Sequence, residues 1–296
     1  MTAVVRAFED AGARVVVGSP GTVGKVPHWV KDAGPTVDSL NANLAELRNL
    51  AYGVARKRRE GFADVFRWMW EAGRAATDKY GTNYAVPGKD GVHPGWAGQV
   101  VMAYAFLDAL GLRGDLGTVT VDVGRRSARG EGGHEIMAVD GDLVTVRSHR
   151  YPFCVPPGDL ADDGVLASGM QWVPFQERLN RFRLVVKGAE MTRYRVTWGG
   201  QSKVYTAAAL RRGIHLPSEF PVNPFSDAFR AVDEAVAAKQ EYETRQIKGE
   251  FHGAAGKADM EATVRRTEDE RARHVAAVRS AFQPLVHSIR IEPLNL

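Results

Sequence analysis

Residues 88–111 read GKDGVHPGWAGQVVMAYAFLDALG, and this stretch bears most directly on both fold and function. Asp90 and His93 lie three positions apart in a segment rich in Gly and Pro, directly before an apolar run that begins near Trp96. A carboxylate so close to an imidazole can fix its tautomer and stabilise its charged form, as a general base requires. We therefore take both as candidate catalytic residues, with His93 as base and then acid, and Asp90 as the residue that orients it.

A purely structural role competes with that interpretation. Asp-Gly is common in turns, and Pro94 is a favourable residue at the start of a helix. Such a short pattern discriminates poorly between the two. On these residues alone, a tight turn before a helix is the more frequent explanation.

The segments before this stretch alternate between strand and helix patterns. Short apolar runs at 14–17 and 62–65 are typical of strands buried on both faces of a parallel sheet. Between them, apolar residues recur at spacings of three and four and predict an amphipathic helix of about four turns: Leu40, Leu44, Leu47, Ala51 and Val54. Helices are also predicted at 2–11, at 66–80 and from near Trp96 to Gly111. The predicted class is α/β, and because two strands are too few for a doubly wound sheet, residues 1–112 read as its C-terminal half.

From Gly117 onward the pattern changes to short alternating segments with Gly-containing turns, which predicts antiparallel hairpins at 118–123, 143–148, 182–187, 194–198 and 203–206. Asn223 and Pro224 predict the start of a helix. A Gly-rich break at 253–256 precedes a second helix at 258–282, so the two are expected to form a helical hairpin, followed by a closing strand. The predicted domains are an α/β domain at 1–112, a β-rich extension at 113–222 and a helical hairpin with its strand at 223–296.

The stretch at 88–111 resembles the last conserved block of the SGNH/GDSL hydrolases. VVVGSPGTVG at 15–24 is similar to a late strand and loop of that family. Three later segments resemble the C-terminal extension of a bacterial subgroup: LNRFRLVVKGAE, YRVTWGG and NPFSDAFRAVDEAVAAKQEYETRQIK. The resemblance implies a flavodoxin-like doubly wound sheet. It also implies serine-type hydrolysis of carbohydrate or other small acyl esters, with Asp90 and His93 completing the catalytic triad.

The nucleophile and oxyanion residues that the resemblance implies do not occur in this sequence. The family carries a Gly-Asp-Ser block and a Gly-x-Asn-Asp block upstream, and neither is found here. Ser19 follows a strand, but the family has no nucleophile at that place and Pro20 disfavours a helix directly behind it, so a loop role is predicted. The resemblance therefore implies an N-terminally truncated hydrolase, which would be periplasmic or secreted if a signal peptide lies upstream of Met1. The alternative is an inactive remnant that acts as a binding or structural protein.

Composition limits the partners. The 296 residues are 44% hydrophobic and 25% charged, with a net charge of +4, and the basic residues occur in short scattered runs, so no nucleic acid partner is predicted. No apolar run approaches the roughly 20 residues of a membrane span. Cys154 is the only cysteine, which excludes an intrachain disulfide. The expected partner is a small-molecule or carbohydrate ester.

The remaining candidates are histidines and tryptophans. Apart from His93, the histidines show no metal-ligand spacing, and neither a metal nor a cofactor is predicted. His28 could line a pocket, but a surface role is favoured. Trp68 and Trp70 could form a sugar-binding platform, whereas their place in an amphipathic helix favours core packing.

Overall fold

The structure is a computed structural model that describes residues 1–31 and 34–294. By its internal contacts the chain divides into two units. Unit 1 comprises Met1–Asp115 with Val155–Asn180, and unit 2 comprises Leu116–Cys154 with Arg181–Leu296. Strands and helices occur in both units, as the predicted α/β class requires.

Unit 1 contains a short parallel ladder in which β1 (Val16–Gly18) pairs with β2 (Gly61–Ala63). Helices precede, connect and follow these strands: α1 (Thr2–Asp10), α2 (Val37–Arg58), α3 (Val65–Tyr80) and α4 (Trp96–Ala109). Val17 of β1 is buried in a cluster with Val5, Ala51 and Ala55. The strand–helix alternation predicted for 1–112 is therefore present, while the doubly wound sheet implied by the resemblance stays a prediction.

Two helix boundaries in unit 1 differ from those predicted. α2 begins earlier and is longer than four turns, because Thr36 and Ser39 form a reciprocal capping box at its start. Leu47, placed on the predicted buried face of this helix, is 51% exposed. Val65 begins α3 rather than ending β2, because the Asp64 side chain accepts the Arg67 N–H and caps the helix.

The segment Val155–Asn180 also belongs to unit 1, although the sequence pattern placed it in a β-rich extension. It contains α5 (Leu166–Gly169), a 3₁₀ turn and α6 (Phe175–Leu179). α5 approaches the start of α4 closely, since a Cβ on Gly169 would lie 2.5 Å from the Ala97 carbonyl oxygen. The helices of this segment are too short to show a hydrophobic periodicity in the sequence, so its packing against α4 is seen only in the structure.

Unit 2 holds two sheets. The first has the order β10-β7-β3-β4, formed by β3 (Asp115–Asp122), β4 (Ser127–Glu131), β7 (Arg181–Lys187) and β10 (Ile214–His215). The second has the order β5-β6-β11-β8-β9, formed by β5 (His134–Asp140), β6 (Leu143–Ser148), β8 (Arg193–Trp198), β9 (Gln201–Thr206) and β11 (Leu285–Pro293). The pairs within the second sheet are antiparallel, and β11 lies between β6 and β8 as the predicted closing strand.

The core of unit 2 is aromatic. Phe182, Trp198, Phe220 and Phe225 are completely buried, and the Trp198 and Phe220 rings meet nearly edge to face at 6.1 Å. β4 and β5 were missed in the sequence, because they are largely exposed and their charged and Gly residues lack strict alternation.

Helices dominate the C-terminal part of unit 2. The short helices α7 (Ala207–Arg212) and α8 (Leu216–Glu219) precede α9 (Ser226–Arg245), a π-helical turn, α10 (Ala254–Ala258) and α11 (Met260–Ala281). α9 and α11 contact each other: the Tyr242 hydroxyl donates to the Thr267 carbonyl at 2.8 Å, and Arg271 pairs with Glu243 at 2.8 Å. α9 begins later than predicted, because the Asn223 side chain accepts the Phe225 N–H and holds a turn before the helix.

Candidate active site

The loop between α3 and α4, residues 81–95 (the Asp90 loop), owes its shape to two glycines. Gly88 has φ +95° and Gly91 has φ +92°, backbone conformations that residues with a Cβ atom rarely adopt. A Cβ on Gly88 would lie 1.8 Å from the His93 carbonyl oxygen, and one on Gly91 would lie 2.6 Å from the Lys25 carbonyl oxygen. The Gly24 N–H donates to the Gly91 carbonyl at 2.9 Å, so the loop is held against the segment that follows β1.

The structure brings Asp90 and His93 together. Asp90 Oδ2 lies 2.6 Å from His93 Nδ1, while Asp90 Oδ1 accepts the backbone N–H groups of Val92 and His93 at 3.0 and 2.9 Å. The carboxylate thus fixes the turn and the imidazole at once. The His93 side chain is 76% exposed, and its Nε2 has no hydrogen-bond partner within residues 1–31 and 34–294.

These contacts hold Asp90 in its ionised form. The hydrogen bond from His93, followed by the backbone N–H groups of Val92 and His93, lowers the pKa of Asp90 far below its usual value. A carboxylate that remains charged keeps the proton of a neutral His93 on Nδ1, so Nε2 is free to accept one. The pair can therefore act as an oriented base towards a group that approaches Nε2.

Trp29 is a neighbour of His93 that the sequence gave no reason to select. Its ring centroid lies 5.8 Å from that of His93, and His28 meets Trp29 edge to face at 4.8 Å. His28 is exposed, in agreement with the surface role favoured from the sequence. The aromatic residue beside the candidate base is therefore Trp29, which is itself 47% exposed.

Asp163, from the segment Val155–Asn180, supports both sides of the Asp90 loop. Its carboxylate accepts the Ala85 N–H at 2.7 Å, and its backbone carbonyl accepts the Ala97 N–H at 3.1 Å, at the start of α4. Asp163 is only 8% exposed. Its location far downstream explains why the sequence pattern did not connect it to Asp90 and His93.

Ser19 has a structural role, as the sequence predicted. Its hydroxyl donates to the Pro20 carbonyl at 3.0 Å and accepts the Phe66 N–H at 2.8 Å. The residue is 9% exposed. The hydroxyl thus ties the end of β1 to the start of α3, and both of its hydrogen-bonding functions are already used.

A cavity of about 810 Å³ adjoins the Asp90 loop within unit 1. The segment after β1, the start of α2, one face of α3 and residues 82–89 line it, so it reaches Gly88 and Lys89 but not Asp90 or His93 themselves. Trp70 lines it and is 40% exposed, which corrects the expected core role for this residue. Trp68 is half-buried and packs edge to face on Tyr104 at 4.9 Å, in agreement with packing.

Two other histidines form a buried network in unit 2. The Trp198 indole donates to His287 Nδ1 at 3.1 Å, and His287 Nε2 lies 2.9 Å from Ser148 Oγ. Ser148 Oγ lies 2.7 Å from His134 Nδ1, and His134 Nε2 lies 2.9 Å from the Leu116 carbonyl. Since an indole only donates and a carbonyl only accepts, one arrangement satisfies every group: both rings are neutral with their protons on Nε2, and Ser148 donates to His134.

Burial governs the protonation of this network. Desolvation lowers the pKa of His287 to about 4, with His134 adding to the effect, and it also lowers the pKa of His134. Ser148 is completely buried. A buried serine between two histidines is here a satisfied core network rather than a nucleophile.

Comparison with known proteins gives one structural likeness. No family model matches the chain, and no curated protein matches it. The solved structure of BT4096, described as a gut microbial diltiazem-metabolizing enzyme, is similar with a TM-score of 0.69, covering 95% of this chain and 73% of that chain at 18% identity. This likeness supports the α/β fold, and at such an identity it carries the fold alone. None of the helices in residues 1–31 and 34–294 combines the length and the hydropathy that a membrane-spanning helix needs.

Proposed function

We propose that this chain is the acid–base part of a serine ester hydrolase of the SGNH/GDSL type, acting on carbohydrate or other small acyl esters. The observation that carries the proposal is the pair of Asp90 and His93, joined at 2.6 Å on a loop before α4. The loop is held beside the segment that follows the carboxyl end of β1, the side on which α/β proteins commonly bind ligands.

In this mechanism His93 takes the proton of a serine hydroxyl through Nε2 as the serine attacks the ester carbonyl. His93 then gives the proton to the leaving alcohol, and the acyl group remains on the serine as an ester. A water molecule, whose proton His93 takes in the same way, attacks this acyl-enzyme and releases the carboxylic acid and the free serine. Asp90 does not take the proton; it fixes the tautomer of His93 and stabilises the imidazolium. The nucleophile and oxyanion donors belong to sequence blocks not found in this chain.

Two further observations favour an enzyme over a binding remnant. The orienting bond from Asp90 is intact, and Asp163 braces both flanks of the loop, although a remnant has no need of either. BT4096, which shares the fold, is described as an enzyme that metabolizes diltiazem, and its chain extends beyond the part that this one covers. The competing function, an inactive binding or structural protein, is supported by the absence of Gly-Asp-Ser and Gly-x-Asn-Asp blocks.

The test begins with the coding DNA upstream of the Met1 codon. An in-frame Gly-Asp-Ser block there supports the enzyme, and a stop codon directly before Met1 supports the remnant. The 296-residue chain and a chain extended to include that block are then compared on an aryl acetate and with a serine-directed phosphonate probe. We expect labelling and hydrolysis only in the extended protein.

His93→Ala and Asp90→Asn in the extended protein identify the base and the residue that orients it. Each is expected to lower kcat/KM by about 10⁴-fold or more, because triad members act as a unit. His28→Ala serves as the matched control, since His28 is an exposed histidine near the same loop, and it should retain most activity. Stoichiometric labelling of the 296-residue chain that is lost in Ser19→Ala would overturn the proposal.

A further inference from the structure

The cavity beside the Asp90 loop contains a feature that packing does not explain. Gly73 lies in the middle of α3 and lines this cavity. A Cβ at this position would have no atom within 4 Å, so no close approach requires a glycine. A glycine inside a helix is unfavourable relative to alanine, because the unfolded chain loses more backbone freedom. Here the missing side chain leaves space in the cavity.

Trp70 presents an aromatic surface next to that space. One face of its ring stacks on Phe66, with centroids 6.0 Å apart and planes 9° apart. Within the described residues no other aromatic ring or cation packs on Trp70, and 40% of the residue is exposed. The stack on Phe66 orients the indole, so its free face is a preformed platform for a flat apolar surface.

The charged groups around the cavity narrow the ligand class. Three are cationic, Lys25, Arg74 and Lys89, and two are anionic, Asp38 and Asp78. Within residues 1–31 and 34–294 none of these five side chains makes a hydrogen bond or an ion pair. All five are solvent-exposed, so a ligand in the cavity meets charges of both signs that remain in contact with water. A ligand of one charge would be attracted by one sign and repelled by the other.

Neutral hydroxyl groups satisfy both signs, because each donates to a carboxylate and accepts from an ammonium or guanidinium group. We propose that this cavity binds a neutral saccharide ring, with its C–H face on Trp70 and its hydroxyls towards the charged rim. The volume of about 810 Å³ is within the range of small-molecule sites and has room for more than one ring.

The location gives the saccharide its role. Gly88 and Lys89 line the cavity and directly precede Asp90, so a ring bound there lies beside the loop that carries His93. The saccharide is then the alcohol part of the ester whose acyl group is removed. This role rests on the proposed function, whereas the binding itself does not.

The experiment measures binding to the full chain by titration calorimetry and tryptophan fluorescence. The probes are the neutral disaccharides cellobiose, xylobiose and N,N′-diacetylchitobiose, with 2-naphthoate and benzyltrimethylammonium as charged aromatic comparisons. We expect at least one disaccharide to bind with a Kd on the order of 1 mM or tighter, and Trp70→Ala to weaken it about tenfold or more.

Gly73→Leu is the decisive variant, with Gly53→Leu as its matched control. Gly53 lies inside α2, also with no atom within 4 Å of its Cβ position, and it is not among the lining residues. Both substitutions remove a helix-interior glycine, so both should keep or raise Tm. Only Gly73→Leu should fill the cavity and abolish disaccharide binding.

The inference is overturned if no disaccharide binds, if only the charged aromatic probes bind, or if Gly73→Leu binds as tightly as the unaltered chain. Failure of the proposed function is distinguishable from these results. Saccharide binding without serine labelling of an extended protein would contradict the hydrolase and leave the binding site standing. Ester hydrolysis by the extended protein without saccharide binding would support the hydrolase and contradict the saccharide site.

Discussion

Acidification should destabilise unit 2 through His287. Its folded-state pKa is about 4, against an ordinary value of 6.5, because burial disfavours the imidazolium. The unfolded chain therefore binds a proton that the folded chain excludes as pH falls from about 6.5 to about 4. Stability is fully present above that window and decreases within it. At 1.36 kcal/mol for each pH unit, the loss from His287 amounts to about 3 kcal/mol.

The hydrogen-bond network explains why protonation is resisted. A second proton on His287 would lie on Nδ1, where the Trp198 indole already donates at 3.1 Å, so two donors would face each other. A charge on His134 would repel a charge on His287 and so lowers the pKa of His287. The nearby Arg150 and His149 in turn lower the pKa of His134. No carboxylate is among the groups that shift the pKa of His287.

The assay is urea unfolding at several pH values between about 7 and 4, comparing the unaltered chain with His287→Gln. Glutamine can accept from Trp198 and donate to Ser148, but it does not titrate. The unaltered chain should lose about 3 kcal/mol more than the variant across this range. His252→Gln is the control, because His252 is exposed and is not among the groups that shift the pKa of His134 or His287, so this variant should behave like the unaltered chain. Equal losses in the chain and in His287→Gln would refute the reasoning.

Three further predictions concern the Asp90 loop. Asp163→Ala should loosen the loop and broaden the NMR signals of His93, because Ala85 loses the acceptor of its N–H; unchanged His93 signals would contradict a bracing role. Gly88→Ala should lower the free energy of unfolding by about 2 kcal/mol or more and shift the NMR signals of His93. Gly81→Ala is the control, because Gly81 has a similar φ of +82° but no atom lies within 4 Å of its Cβ position. This variant should lose less stability in thermal unfolding and leave the His93 signals unchanged. The Asp90 carboxylate should stay ionised below its usual pKa of 3.8, so the stability it supplies is lost only as pH falls below that value. A ¹³C titration measures the pKa of Asp90, and the titration midpoint should rise in His93→Ala, which removes the hydrogen bond to the carboxylate.

Much of the secondary structure could be predicted, because it depends on local patterns. The alternation of β8 and β9 around Gly199 and Gly200 specifies a hairpin, and the structure pairs Trp198 with Gln201 across it. The pairing of Asp90 with His93 was predictable for the same reason, since the two residues share one turn. Both inferences needed only neighbouring residues.

Long-range features could not be predicted in this way. Asp163 supports the Asp90 loop from 78 residues beyond Ala85, and no periodicity connects such positions. Trp70 has the spacing of a core residue, and only the cavity beside it shows that it is exposed. The strands β4 and β5 lack the apolar alternation that marks a strand with one buried face.

The division of the chain has a consequence for how this protein can be cut or recombined. The polypeptide passes from one unit to the other after Asp115, after Cys154 and after Asn180, so each unit is interrupted in sequence by part of the other. Neither can be excised as a contiguous cassette, and a single expression boundary placed between residues 115 and 180 divides at least one of them. During synthesis, the Asp90 loop emerges long before the residue that braces it. An N-terminal fragment ending near residue 112 would therefore carry Asp90 and His93 without the carboxylate that holds their loop in place.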